Sequence, residues 1–263
     1  MKYFILSFFI LVSIPASFPQ GLKNHSIFKS FNLSNYGFRS ALRSMPSAPK
    51  HITGSGTSIA PYVLYDALDV DSIRHLGLNN KYYELANDID LSSITEFAPI
   101  PNDNNLGVFS LEGNSHTLYG LKQTEGVYSG SQQGYSIGMF AGKTQGTFKV
   151  NNLVIDNFRI NKTTVINISA TYFSAALLVA FLQNTEIQLT NITAKNSSLR
   201  FANNPSTFPN LSYLGLIIGR AHSTGVVGKQ SFIRNCLVEY DTIYYASTFQ
   251  PNSGHFIGGI AGT

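Results

Sequence analysis

The chain has 263 residues, 43% of them hydrophobic, which is enough for a real core and excludes disorder as the default reading. Only 12% are charged, beside 22 Gly, 10 Pro, 19 Phe, 14 Tyr and no Trp, a balance that points to strands joined by tight turns. The net charge of +4 belongs to the N-terminus: all fourteen acidic residues lie at or after Asp66, six of the eighteen basic ones lie within the first fifty positions, and the near-neutral remainder excludes nucleic acid as a partner of the folded body.

In chain order, Lys2 opens a twelve-residue apolar run from Tyr3 to Ile14, followed by Pro15, Ala16 and Ser17. This is short of the roughly 20 residues a spanning helix needs, so residues 1–17 are expected to be a signal peptide; an uncleaved anchor is the alternative. The protein is then extracellular or at the cell surface, touching membrane only through that leader. Residues 18–53 lack apolar periodicity and are expected to form a basic, loosely ordered tail. The fold begins at the turn Gly54-Ser55-Gly56-Thr57. Asp66 is a candidate N-cap for a short helix over Ala67–Leu76, with Leu68, Ile73 and Leu76 on one face. Strand-like pieces follow at Tyr82–Leu85, Asn87–Leu91, Phe97–Ile100, Gly107–Leu111 and His116–Leu121.

After residue 130 the sequence repeats. Gly138-Met139-Phe140-Ala141-Gly142 aligns with Ala176–Ala180, Gly215–Gly219 and Gly258–Gly262, the starts being 38, 39 and 43 residues apart. The first three are followed by strand-like runs beginning at Asn152, Asn191 and Asn235. A period near 40 signals a stacked array. A propeller blade would need four strands, and a helical solenoid clear 3.6-residue faces. A parallel β-helix with two coils per period suits the spacing best, with small residues at the corners and Leu153, Val154 and Ile155 in apolar ladders. In register, the three asparagines form a hydrogen-bonded ladder between coils; otherwise they are ordinary turn residues. The chain stops at Thr263, directly after the fourth pentapeptide, which predicts either a fragment lacking further coils or end-to-end association.

Together these motifs resemble the GLUG-repeat secreted and surface proteins. The resemblance rests on Gly54-Ser55-Gly56-Thr57 with Pro61-Tyr62, Tyr83-Glu84-Leu85 with Asp88-Ile89-Asp90-Leu91, Pro99-Ile100, Gly107-Val108-Phe109, and Gly113-Asn114-Ser115-His116-Thr117-Leu118. It continues in the glycine pairs Gly138 and Gly142, Gly215 and Gly219, and Gly258 and Gly262; Ala176 and Ala180 depart from the pattern. It implies an all-β, right-handed parallel β-helix with a short N-terminal capping helix, an opening module over 54–130 and GLUG-like repeats over 131–263. It further implies an adhesive or structural role toward a cell-surface glycan or protein, and no catalytic residue set.

Chemistry is sparse. Asp88 and Asp90, alternate residues of a strand, are the candidates for a carbohydrate-active alternative, a polysaccharide lyase or glycoside hydrolase, or for Ca²⁺; turn and capping roles are their ordinary explanation. The six histidines form no metal-spaced pair, and no phosphate loop is present, so neither metal nor cofactor is expected. The lone Cys236 reads as a small apolar core residue. Sequons stand at Asn24, Asn32, Asn161, Asn167, Asn191, Asn196 and Asn210, the last five being the glycosylation candidates on the repeats.

Overall fold

The computed structural model describes residues 51–129, 134–162, 172–202, 211–222, 230–246 and 254–262. The leader, the tail as far as residue 50, Asn167 and Asn210 lie outside the described residues. The described chain winds into a right-handed parallel β-helix with one short helix near its N-terminal side.

Each coil has several extended sides. A long sheet stacks Tyr62–Leu64, Lys81–Leu85, Val108–Glu112, Gly146–Asp156 and Thr185–Lys195, then Phe232–Arg234 with Leu237–Glu239. A corner sheet follows, built from Lys122–Gln123, Arg159–Lys162, Ser198–Ala202 and Thr242–Ala246. A third sheet contains Gly134–Ile137, Tyr172–Ala175, Leu211–Gly215 and Gly254–Gly258. Val179–Gln183 paired with Ile218–His222 completes the circuit.

One period is therefore one coil, not the two expected. Phe148 lies opposite Ile187, 39 residues on, and Leu189 opposite Ile233, 44 residues on. The reason is strand length. The eleven residues of Gly146–Asp156 alone span about 36 Å at ~3.3 Å per residue, and with the other sides they consume the whole period.

That length was hidden by a phase change. Phe148 and Val150 point inward, and so do Leu153 and Ile155, with one extra residue between the pairs. The extra residue is Asn152, in left-handed conformation at φ 50°, and it resets the alternation much as a bulge does. Val154, expected in the apolar ladder, is consequently turned outward and only partly covered. Asn191 and Asn235 repeat the conformation at φ 55° and 52°. Their side chains also form the ladder: Asn191 Nδ2 donates to Asn152 Oδ1 at 2.7 Å and Asn235 Nδ2 to Asn191 Oδ1 at 3.1 Å. Glu112 ends the row by accepting from Asn152 Nδ2 at 2.8 Å. These asparagines are thus both turn formers and ladder members.

The glycine pentapeptides turn the chain between the third sheet and the closing strands. A Cβ on Gly215 would stand 2.0 Å from the Ile218 carbonyl oxygen, and one on Gly219 would stand 2.5 Å from that of Ala180, so close backbone approach demands glycine there. Gly215 pairs with Gly258, as aligned. The first pentapeptide slips by one: Phe140 pairs with Val179 and Lys143 with Leu182, which sets Ala180 beside Ala141 rather than Gly142. Ala176 follows Ala175, the partner of Ile137, and fits fully buried.

Inside, aromatic rings stack along the axis: Tyr62 to Tyr83 at 5.5 Å, Tyr83 to Phe109 at 5.8 Å and Phe109 to Phe148 at 5.1 Å, with Phe140 5.0 Å from Phe109. The helix Ala67–Leu76 packs on this core through Ala67, Val70 and Ile73. Leu68, expected on the packed face, is 63% exposed, while Ile73 of the same expected face is buried. Asp66 Oδ1 accepts from the Leu68 and Asp69 amides at 2.9 and 3.0 Å, while Asp69 reaches back to the Tyr65 amide at 2.9 Å. Cys236 is half-buried against the core, its thiol pushed up by burial.

Candidate functional site

The corner sheet alternates cleanly. Gln123, Ile160, Lys162, Leu199 and Phe201 point inward, leaving Lys122, Arg159, Asn161 and Arg200 exposed on its outer face. Parallel register sets Lys122 beside Arg159, Arg159 beside Ser198, Ser198 beside Thr242, and Asn161 beside Arg200, which is in turn beside Tyr244. The chain enters this sheet through one left-handed residue per coil: Gly120, Asn157, Asn196 and Tyr240, with φ of 78°, 53°, 53° and 55°. Glycine and asparagine accept that conformation; a bulky aromatic residue rarely does.

An open cleft of about 520 Å³ lies over this corner, lined among others by Arg159, Asn196, Ser198, Arg200, Tyr240 and Tyr244. Tyr240 is 88% exposed and Tyr244 49%. The Arg200 guanidinium rests 5.1 Å from the centre of the Tyr244 ring, a cation–π contact that holds it over the cleft. Arg159 donates through Nη1 to the carbonyls of Phe158 and Asn196. Among the described residues, neither arginine belongs to an ion pair. The charge of Lys122 helps hold Asp90 below the usual carboxylate range, after the larger effect of hydrogen bonds from Ser92. Near the cleft, Asp241 accepts from the Ser197 amide at 2.5 Å, yet its Oδ2 is buried without a partner; burial pushes its carboxyl above the usual range, while the Ser197 hydrogen bond and the charge of Arg159 act against that rise.

Asp88 and Asp90 lie on one outward side, flanking the buried Ile89. Each is occupied by a backbone amide. Asp88 Oδ1 accepts from the Thr117 amide at 2.8 Å and lies 3.4 Å from His116 Nδ1; Asp90 Oδ1 accepts from the Ser92 amide at 2.8 Å. Among the described residues, no group of three or more His, Cys, Asp and Glu side chains could hold a metal ion. A second cleft of about 350 Å³ beside the helix contains Arg74 and Asp103, both engaged: Arg74 with Asp71 and the carbonyls of Ala98 and Pro99, Asp103 with Lys143. Of the described sequons, Asn191 and Asn196 use their amide nitrogens within the fold, the latter donating to Asp156 Oδ1 at 3.0 Å, while Asn161 is exposed on the corner sheet.

No family model matches the chain, and no curated protein matches it. Among solved structures it is similar to one described as "a putative immunoglobulin A1 protease from Bacteroides ovatus", at 13% identity and TM-score 0.33, over 79% of this chain and 85% of that one. Among the described residues, no helix is long and apolar enough to cross a membrane.

Sequence reasoning missed the cleft because its cations occur at unequal distances from their corner residue. Arg159 follows Asn157 by two positions and Arg200 follows Asn196 by four. One signal was present. In the aligned runs Asn152–Asn157, Asn191–Asn196 and Asn235–Tyr240, the third ends on tyrosine where the others end on asparagine.

Proposed function

We propose that the protein is a secreted or cell-surface β-helix that works as a non-catalytic, adhesive or structural interaction module toward a cell-surface glycan or protein. It is on this reading a protein of the GLUG-repeat kind that its motifs resemble. The observation that carries it is the outer face of the corner sheet: cationic and aromatic side chains stand unburied around an open cleft. The carboxylates best spaced for catalysis instead hold backbone turns. Fractionation of the native cells, followed by protease shaving of intact cells, tests the reading. Recovery in the medium or among shaved surface peptides is the expected result; a folded cytosolic protein overturns it. Turnover on a polysaccharide panel that is lost on changing Asp88 and Asp90 to Asn would overturn the non-catalytic part.

A further inference from the structure

We propose that the cleft over the corner sheet binds an acidic glycan, a chain of pyranose sugars bearing carboxylates, with Tyr240 as the stacking platform and Arg159 and Arg200 as the anion contacts. This rests on the surface-module reading and names its ligand class. Three features of the cleft converge on it.

The first is Tyr240 itself. Equivalent corners use Gly120, Asn157 and Asn196, residues that tolerate left-handed backbone. Tyrosine there is strained. Burial does not offset the strain, since the ring is 88% exposed at the edge of the cleft. An exposed ring held in an unfavourable backbone conformation beside a cavity is accounted for by a ligand that packs on it.

The second is the pair of guanidiniums. Arg159 and Arg200 lie on neighbouring strands, two residues out of register, so their backbones are about 8 Å apart on the diagonal. They can meet successive anionic groups of a chain crossing the strands, and each presents the planar fork that fits a carboxylate. The third is the remaining lining. Ser198 and Thr242 supply hydroxyl groups suited to a polyhydroxylated ligand. With twelve basic against fourteen acidic residues from position 51 onward, the body lacks the broad positive field that a densely charged polyanion would need.

The test uses the full chain, produced without glycosylation, and calorimetric titration with polygalacturonate, dextran sulfate and neutral dextran. Binding to polygalacturonate with none to neutral dextran is expected; equal binding of both overturns the proposal. Preference for dextran sulfate would show that sulfate esters, not carboxylates, are the anion recognised and overturns the carboxylate assignment. Tyr240→Gly is expected to weaken polygalacturonate binding at least tenfold while raising the melting temperature by about 2–6 °C, because the strain is released. Arg200→Gln, an outward substitution, is expected to weaken binding similarly with the melting temperature unchanged. If both variants bind like the parent, attraction to the basic N-terminal tail explains the titration and the cleft assignment fails. A surface-exposed protein that binds no acidic glycan sinks this inference alone; a cytosolic one sinks the reading beneath it.

Discussion

Asn152, Asn191 and Asn235 each combine two properties that other residues offer singly. Their short amide side chains make left-handed backbone acceptable, and the same amides join one coil to the next. Asn191→Ala removes both, and we expect a loss of about 2–3 kcal/mol in urea unfolding. Asn191→Gly keeps the backbone freedom and should lose only about 1 kcal/mol; equal losses would show that the ladder alone matters. Asp241 offers a second residue-scale measurement. Burial raises its folded-state pKa above the unfolded one, so the folded form holds the proton more tightly, and ionisation works against folding above the folded value. Asp241→Asn keeps the acceptor for the Ser197 amide and removes the buried charge. It should therefore stabilise the protein at pH 7, with the advantage shrinking as pH falls through the raised pKa toward the ordinary carboxylate range near 4. A pH-independent difference between variant and parent would contradict this account.

At the scale of elements, the turn after Ile100 is tied to the next coil by a buried ion pair. Lys143 Nζ lies 2.7 Å from Asp103 Oδ2 and donates to the Asn105 carbonyl at 2.9 Å, with the lysine side chain fully buried and that of Asp103 10% exposed. Removing one partner strands a buried charge. Asp103→Ala is expected to cost about 3–5 kcal/mol, while Lys143→Met with Asp103→Asn recovers most of it, as double-mutant unfolding curves will read. Neither member of this pair stood out in the sequence, because a lysine between Gly142 and Thr144 gives no local sign of burial; only the stacking of Lys143 beside Leu182 covers it. The helix was legible, since its caps are local: Asp66 and Asp69 act within four residues of their partners. Its packed face was not, because Leu68 is as apolar as Val70 and only the docking angle separates them. The repeat was legible from glycines and asparagines fixed by backbone conformation. Coil width was not, since the left-handed asparagine breaks the two-residue period that marks a long strand. The cleft depends on side chains brought together by lateral register, which spacing along the chain does not encode.

Over the whole molecule, stability in a solenoid is close to a sum of neighbouring contacts, so it need not be uniform. The inner position Leu189 is fully buried between neighbours, whereas Ile233, the residue stacked on it in the following coil, is 41% exposed. That side chain gives up somewhat under half of the roughly 1.5–3 kcal/mol that full burial contributes. This lowers the local opening free energy of that coil by about 0.6–1.2 kcal/mol relative to its neighbour. Native-state hydrogen exchange on the 263-residue chain should then show the amides of Phe232–Arg234 and Leu237–Glu239 exchanging about 3- to 8-fold faster than those of Thr185–Lys195. Graded protection of this kind means that coils open one at a time, from the less covered side inward. Equal protection across both strands would mean that the aromatic column and the asparagine ladder couple the coils into one cooperative unit, and the additive picture would have to be abandoned. The same measurement bears on the cleft, whose walls come from three successive coils: Arg159, then Asn196 and Arg200, from the well-covered side, Tyr240 and Tyr244 from the more exposed one. A polymer bound across that boundary would clamp the looser coil to the firmer one. Adding polygalacturonate should therefore slow exchange at Leu237–Glu239 and Thr242–Ala246 far more than at Thr185–Lys195.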